Sequence, residues 1–206
     1  MTSLRCRRLY GISEARSPEK EMITVSAIKV HEFIALDGVY EDPSWTFSYG
    51  FDPAMGQTLA EVMADCKAIL LGRRTYDMFF PAWSTRTADD DPGAPFFNDS
   101  PKYVVSGTLQ HADWNNTTIL GSYDPAKIRE LKERADGDIY VSGSGTLVRA
   151  LIADGLADEL HLFVYPVARG SGQRLFAGDG PATPFSLAGT HSYSNGVVHL
   201  AYSLAK

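Results

Sequence analysis

The chain predicts an α/β fold in three layers: a mostly parallel central sheet with helices on both faces, finished by an antiparallel hairpin. Three observations carry this. Strand-like apolar runs alternate with segments of helical spacing along most of the 206 residues. Ala68–Leu71 and Ile139–Val141 read as continuous buried strands rather than as alternating ones, which demands cover on both faces of the sheet. The tail from Phe185 to Leu204 alternates around Asn195-Gly196, the strongest short-range signal for a type I′ hairpin.

Taken in order, Ile28–Leu36 is apolar and rich in β-branched residues, and it ends at the turn pair Asp37-Gly38. Asp52-Pro53 sets an N-cap and a proline at the first helical position, and Met55, Leu59, Val62, Met63 and Cys66 follow at helical spacing. After the strand at Ala68–Leu71, Thr75–Phe80 is a short helix stopped by Pro81. Tyr103–Ser106 and Thr117–Leu120 are strands, and Asp124-Pro125 caps a helix running through Ile128 and Leu131 toward Arg134. Ile139–Val141 feeds a helix carrying Leu147, Val148, Leu151 and Ile152, which Gly155 ends, and Leu160–Val167 is the next strand. Residues 82–101, with Asp89-Asp90-Asp91, Pro92, Gly93 and Pro95, read as a long loop. Such a loop is either a solvated insertion or the flank of a pocket. No internal repeat or second-domain linker is visible.

Composition narrows the function classes. A content of 44% hydrophobic and 21% charged residues is that of a globular domain. With 19 basic against 25 acidic side chains, the formal charge of −6 gives no global attraction to nucleic acid or anionic lipid, so an anionic ligand needs a local pocket. Cys6 and Cys66 lack CxxC or Cys/His spacing, which argues for reduced thiols, a cytoplasmic setting and no metal site. No apolar stretch approaches the roughly 20 residues that cross a bilayer. Residues 1–24 read as a flexible extension of the domain at 25–206, with no secretory leader and with Met22 as a possible start.

Two glycine-bearing strand ends point to chemistry: Leu70-Leu71-Gly72-Arg73-Arg74-Thr75-Tyr76 and Tyr140-Val141-Ser142-Gly143-Ser144-Gly145-Thr146-Leu147. Each follows an apolar run and opens a helical segment, so each aims free N–H groups and a positive helix end at an anion. Two such turns in one domain suggest a nucleotide with several phosphates. Arg73 and Arg74 add planar forks that match phosphate oxygens, although Arg73 also reads as a surface arginine pairing with the acidic loop. Thr75 suits a helix start, and Gly143 and Gly145 suit close approach to the backbone. The five histidines form no H-x-x-x-H or H-E-x-x-H pattern, and no Gly-x-Ser-x-Gly elbow supplies a hydrolase nucleophile.

The LGRRTY segment, the VSGSGTLV turn, and Asp158-Glu159-Leu160-His161-Leu162-Phe163-Val164-Tyr165-Pro166-Val167 leading to Gly170-Ser171-Gly172 together resemble the dihydrofolate reductase-like superfamily. The likeness is closest to the branch holding the C-terminal reductase domain of the bifunctional riboflavin-biosynthesis enzyme, and it runs from about Ile28 to the C-terminus. It implies that fold, NADPH binding, hydride transfer and a homodimer whose natural contact is a strand or hairpin surface near the C-terminus. It places Gly72, Arg73, Arg74 and Thr75 at the cofactor phosphates, Ser106 near the adenosine 2′-phosphate, and Gly143, Ser144, Gly145 and Thr146 against the pyrophosphate. Ser144 departs from the consecutive glycines of dihydrofolate reductases.

On the substrate side, Asp37 matches an Asp-Gly pair of this branch at the end of the first strand and is the candidate catalytic acid, as well as an ordinary turn residue. Glu32 interrupts an apolar strand, which places it at the pocket or on a solvated edge. Trp45 is a candidate wall of the nicotinamide site or a core residue, and Asp52 a substrate ligand or simply a cap. The expectation is an NADPH-dependent reductase acting on a small heterocycle, pterin-like or aminopyrimidine ribosyl. The alternatives are a non-catalytic NADPH-binding sensor or scaffold and, more weakly, a phosphosugar or nucleotide transferase.

Overall fold

The structure is a computed structural model that describes residues 25–176 and 182–204; the expected extension at 1–24 lies outside them. One eight-stranded sheet runs in the order β4-β3-β2-β5-β1-β6-β8-β7. Its strands are β1 (Ile28–Ala35), β2 (Cys66–Gly72), β3 (Lys102–Val105), β4 (Thr117–Gly121), β5 (Asp138–Ser142), β6 (Glu159–Tyr165), β7 (Phe185–Ser192) and β8 (Val198–Leu204). Strands β1 to β6 pair in parallel, and β8 joins β6 and β7 antiparallel, as the alternating tail predicts.

The crossover rule sorts the helices. Steps from β1 to β2 and from β2 to β3 move toward one edge, and steps from β4 to β5 and from β5 to β6 move toward the other. Right-handed crossovers therefore put α1 (Pro53–Met63) and α2 (Arg73–Trp83) on one face, and α4 (Pro125–Arg134) and α5 (Gly145–Ala153) on the opposite one. The cores agree. Val62 of α1 and Tyr76 of α2 pack with Ile69, Leu71, Val104 and Tyr140, while Ile128 and Leu131 of α4 and Leu147, Val148 and Leu151 of α5 pack with Val30, Leu70 and Val141. Each such aliphatic side chain, fully buried, contributes roughly 1.5–3 kcal/mol. The direction of the crossovers reverses at β1 and β5, so the switch point, where open α/β sheets carry their ligand crevices, falls at the carboxyl ends of β2, β5 and β1.

Three local expectations are corrected. Pro81 does not stop α2, which continues to Trp83. A proline one turn from the end removes a single ladder bond, and the Ser84 amide still reaches the Phe80 carbonyl at 3.0 Å. Residues 82–101 are not one open loop, because α3 (Ala94–Asp99) folds onto the α1/α2 face, with Phe97 stacked on Trp83 at 4.2 Å. Lys102 holds it there: fully buried, its Nζ donates to the carbonyls of Phe97, Asn98 and Ser100 at 2.8–3.0 Å. The hairpin turn is not type I′ either. Gly196 has φ +83 but Asn195 is not left-handed, and Tyr193 and Val197 close a three-residue loop.

Candidate functional site

Two strand-to-helix turns stand side by side because β2 and β5 are neighbours. Gly72 is the N-cap of α2, and Ser144 is the N-cap of α5, in the left-handed region at φ 64, ψ 36. That conformation costs a serine of order 1 kcal/mol. Its hydroxyl joins the turns: Ser144 Oγ accepts the Gly72 N–H at 2.9 Å and donates to Thr75 Oγ1 at 2.7 Å. Gly143 precedes it at φ +59, where a Cβ would lie 3.4 Å from Thr75 Oγ1, and the peptide between them is trans. Gly145 is roofed by Tyr40, whose ring atoms would lie 2.3–2.7 Å from an added Cβ. The first-turn amides of α2 and α5 beyond these bonds have no helical acceptor, which is the state of any helix start.

Charge at the turns is ready but not fully paired. The Arg73 Nε donates to Asp77 at 2.7 and 2.9 Å across one turn of α2, and not to the acidic loop. Arg74 is exposed and makes no ion pair among the described residues. Ser106 follows β3, next to Gly72 through the Gly72–Val105 register pair. Its hydroxyl accepts from the amides of Thr108 and Leu109 at 3.2 and 3.0 Å, building a tight turn there.

The four residues expected on the substrate side do not converge. Asp37 sits in the loop after β1 and accepts from the amides of Gly170 (2.8 Å) and Arg169 (3.2 Å) and from Arg174 (3.3 Å). Desolvation pushes its carboxyl up, but these amides and the guanidinium outweigh it and hold the pKa below the usual range. Asp52 caps α1 through the Ala54 amide at 2.8 Å and also accepts from the Ser194 hydroxyl and amide in the hairpin turn, at 2.6 and 2.9 Å. The Ser194 hydroxyl first, then the two amides, lowers its pKa. Glu32 lies on the α4/α5 face between Val30 and Ile34. It is 2% exposed, and its Oε1 has no protein hydrogen-bond partner. Burial pushes its carboxyl up to about 8, with the Arg149 charge opposing. Trp45 is on the opposite face, in the 3-10 helix Pro43–Tyr49, edge-on to Tyr165 at 5.4 Å and under the Arg169 guanidinium at 5.9 Å.

Residues 27–199 match the RibD C-terminal domain family. The chain belongs to that family. It is 27% identical over 173 residues to the uncharacterized Bacillus subtilis protein YyaP, covering 82% of this chain and 90% of YyaP. Its fold matches that of a Shewanella sp. PV-4 protein named for riboflavin biosynthesis, with a TM-score of 0.69, 18% identity, and coverage of 87% of this chain and 99% of the other. Acinetobacter baumannii RibD gives 0.63 at 16% identity, with 88% of this chain aligned to 59% of RibD.

Within this RibD C-terminal domain, sequence reasoning missed a strap formed by two paired loops. Residues 37–41 and 169–175 lie against each other. Tyr40 N donates to Gln173 O (3.0 Å), Leu175 N to Gly38 O (2.9 Å) and Gln173 N to Glu41 Oε2 (3.1 Å), while Tyr40 Oη donates to Gln173 Oε1 (2.7 Å). Also missed was His31, buried beside Ser142 at the head of the second turn, where Tyr140 Oη and Ser142 Oγ lie 2.8 and 3.2 Å from its Nδ1. Burial, then the neighbouring His161 and His199, lowers the His31 pKa to about 3, so the ring is neutral. The glycines of 170–172 were the only signal for the strap, and they name no partner.

Proposed function

We propose that the chain is an NADPH-dependent reductase acting on a small heterocycle of the pterin-like or aminopyrimidine ribosyl class. The observation that carries this is the pair of bridged turns at adjacent strand ends, with Arg73 and Arg74 beside them. What supports the cofactor is that the two helix starts stand side by side with first-turn amides lacking helical acceptors, and that Arg74 is exposed and makes no ion pair among the described residues; Gly143 and Gly145 let Thr75 and Tyr40 pack against the turn backbone. NADPH, when bound, supplies the hydride. Gly72, Thr75, Gly143, Gly145 and Thr146 line the phosphate path, Arg73 and Arg74 select the 2′-phosphate, and Ser106 orders the turn beneath the adenine end.

Trp45 and Tyr49, each edge-on to the buried Tyr165 at 5.4 and 5.6 Å, form an aromatic wall against which a flat ring can lie. The Arg169 guanidinium above Trp45 supports an anionic substituent on that ring, as in a phosphoribosyl group. Asp37, ionised and engaged by three donors, serves in this reading to hold the strap rather than to give a proton. The reading includes a cytoplasmic homodimer in contact through the hairpin, where Leu187 is 59% exposed. No helix of the described residues is long and apolar enough to cross a membrane. The engagement of both Asp37 and Asp52 favours a second reading, an NADPH sensor without turnover.

Calorimetric titration with NADPH and NADH tests the first reading. The double variant Arg73→Ala/Arg74→Ala is expected to lose about 100-fold or more in NADPH affinity and far less for NADH, since each of the two charge-assisted contacts contributes roughly 1.5–3 kcal/mol. Equal losses would remove the 2′-phosphate assignment. Absorbance loss of NADPH against a panel of pterins and flavin precursors separates the reductase from the sensor.

A further inference from the structure

We infer that Ser144 is a positioning residue that acts through Thr75, locking the two turns into one cradle and aiming the Thr75 hydroxyl at the ligand; this rests on the NADPH reading above. The left-handed backbone at Ser144 is one that glycine adopts without strain, so the side chain has to do something that glycine cannot. What it does is specific. Its oxygen accepts the N–H of Gly72, the N-cap of α2, and its hydrogen goes to Thr75 Oγ1. Both oxygens lie between two helices that start on adjacent strands, so one hydroxyl fixes the spacing of both helix ends.

The direction of the chain of bonds matters. Thr75 Oγ1 is the acceptor from Ser144, and among the described residues it has no other hydrogen-bond partner. The Thr75 hydroxyl hydrogen is therefore left to donate elsewhere. Thr75 is buried in the first turn of α2, 5% exposed and against Gly143, which has no side chain to take that hydrogen. A phosphate oxygen held by the amides of the two helix starts is the acceptor that completes the sequence Gly72 N–H to Ser144 to Thr75 to anion. Ser144 thus has no direct phosphate contact; its effect on affinity passes through Thr75 and through the spacing of the helices.

The experiment is a double-mutant cycle on the full chain with Ser144→Gly, which keeps the backbone conformation, and Thr75→Val, which keeps the side-chain shape. Dissociation constants for NADPH and NADH are read by titration and the thermal midpoint is recorded for each variant. Each single change is expected to weaken both dinucleotides by about 10-fold, without altering the NADPH to NADH ratio. The double variant is expected to lose little more than either single one, because the two groups act in series. Losses that multiply to about 100-fold would overturn the coupling. Unchanged affinity in Ser144→Gly would also overturn it, as would a loss confined to NADPH or one that follows the thermal midpoint rather than the hydroxyl. If the unsubstituted chain binds neither dinucleotide, the NADPH reading itself falls, and this inference with it.

Discussion

At the ends of β2 and β5, the groups that face the crevice belong mostly to the backbone, and their side-chain partners are arranged to leave donors over: Ser144 takes one amide, and Arg74 stays unpaired among the described residues. Around β1 and the start of α1, by contrast, the acidic side chains are engaged within the protein or, for Glu32, buried with Oε1 unpartnered. Asp37 ties the strap at Gly170 and Arg174, Asp52 ties α1 to the hairpin turn, and Glu32 is buried on the other face of the sheet. In the proposed reading, the phosphate side is thus pre-organised by main-chain geometry, and the substrate side is an aromatic wall whose nearby carboxylates Asp37 and Asp52 tie protein segments together.

The strongest way to break this contrast is at the point where the two regions touch, Tyr40 over Gly145. In Gly145→Ala the new Cβ would meet the Tyr40 ring at 2.3–2.7 Å, and the backbone of an α5 start cannot retreat. The ring has to swing out, giving up its hydrogen bond to Gln173. We expect a loss of about 2–3 kcal/mol, combining overpacking with the lost bond, and a thermal midpoint lower by roughly 5–10 °C. NADPH affinity should fall with it. A variant as stable and as tight-binding as the parent would mean that the strap and the cradle are independent.

This division also explains what could be read in advance. The order of strands and helices apart from α3, the C-terminal hairpin and both glycine turns were legible, because apolar periodicity, Asp-Pro caps and glycines act through local backbone physics. Asp52 and Asp124 cap α1 and α4 as their sequence context predicts. Side-chain roles were not legible, because they depend on tertiary partners. Nothing adjacent to Asp37 announces that Gly170 and Arg174 will claim its carboxylate from more than 130 positions away. Lys102 begins a strand and carries a charge, yet it is fully buried, since only the folded chain brings three carbonyls to its Nζ. Glu32 was visible as an anomaly in an apolar strand, and its face of the sheet was not.

Glu32 sharpens the comparison through pH. Its folded pKa of about 8 lies above the unfolded 4.5, because burial penalises the charged form. The native state therefore keeps a proton that the unfolded chain releases. The stability so gained is complete below about pH 4.5 and is lost as pH rises toward 8, at up to about 1.4 kcal/mol per pH unit. His199, lowered to about 4 by burial and by His161 and His191, works in the opposite direction below its unfolded 6.5. The informative quantity is thus the difference between Glu32→Gln and the parent in urea midpoints from pH 5 to 8. We expect the variant to gain relative stability steadily with pH, by a few kcal/mol at the alkaline end. A parallel pair of curves would mean that Glu32 is ionised and paired, and so available as a charge.

Asp52 is where the smallest effect is expected, and where the sequence expectation of a substrate ligand is put to a direct test. Asparagine is as good an N-cap as aspartate, so Asp52→Asn keeps the Ala54 bond that starts α1 and weakens only the contacts to Ser194. The folded pKa of Asp52 is depressed, so the stability its charge provides is present above the unfolded value of 3.8 and disappears as pH falls below it. The parent and Asp52→Asn should therefore differ slightly at pH 7 and draw together as pH falls below 3.8 and through the depressed folded pKa, with NADPH affinity changed by less than about twofold. Turnover of an accepted heterocycle should be equally unmoved, because the carboxylate is already committed, Oδ1 to capping α1 and Oδ2 to the Ser194 amide and hydroxyl of the hairpin turn. A fall in turnover at unchanged stability would reverse this and return Asp52 to the substrate, and with it the idea that the acids beside the aromatic wall are there only to build it.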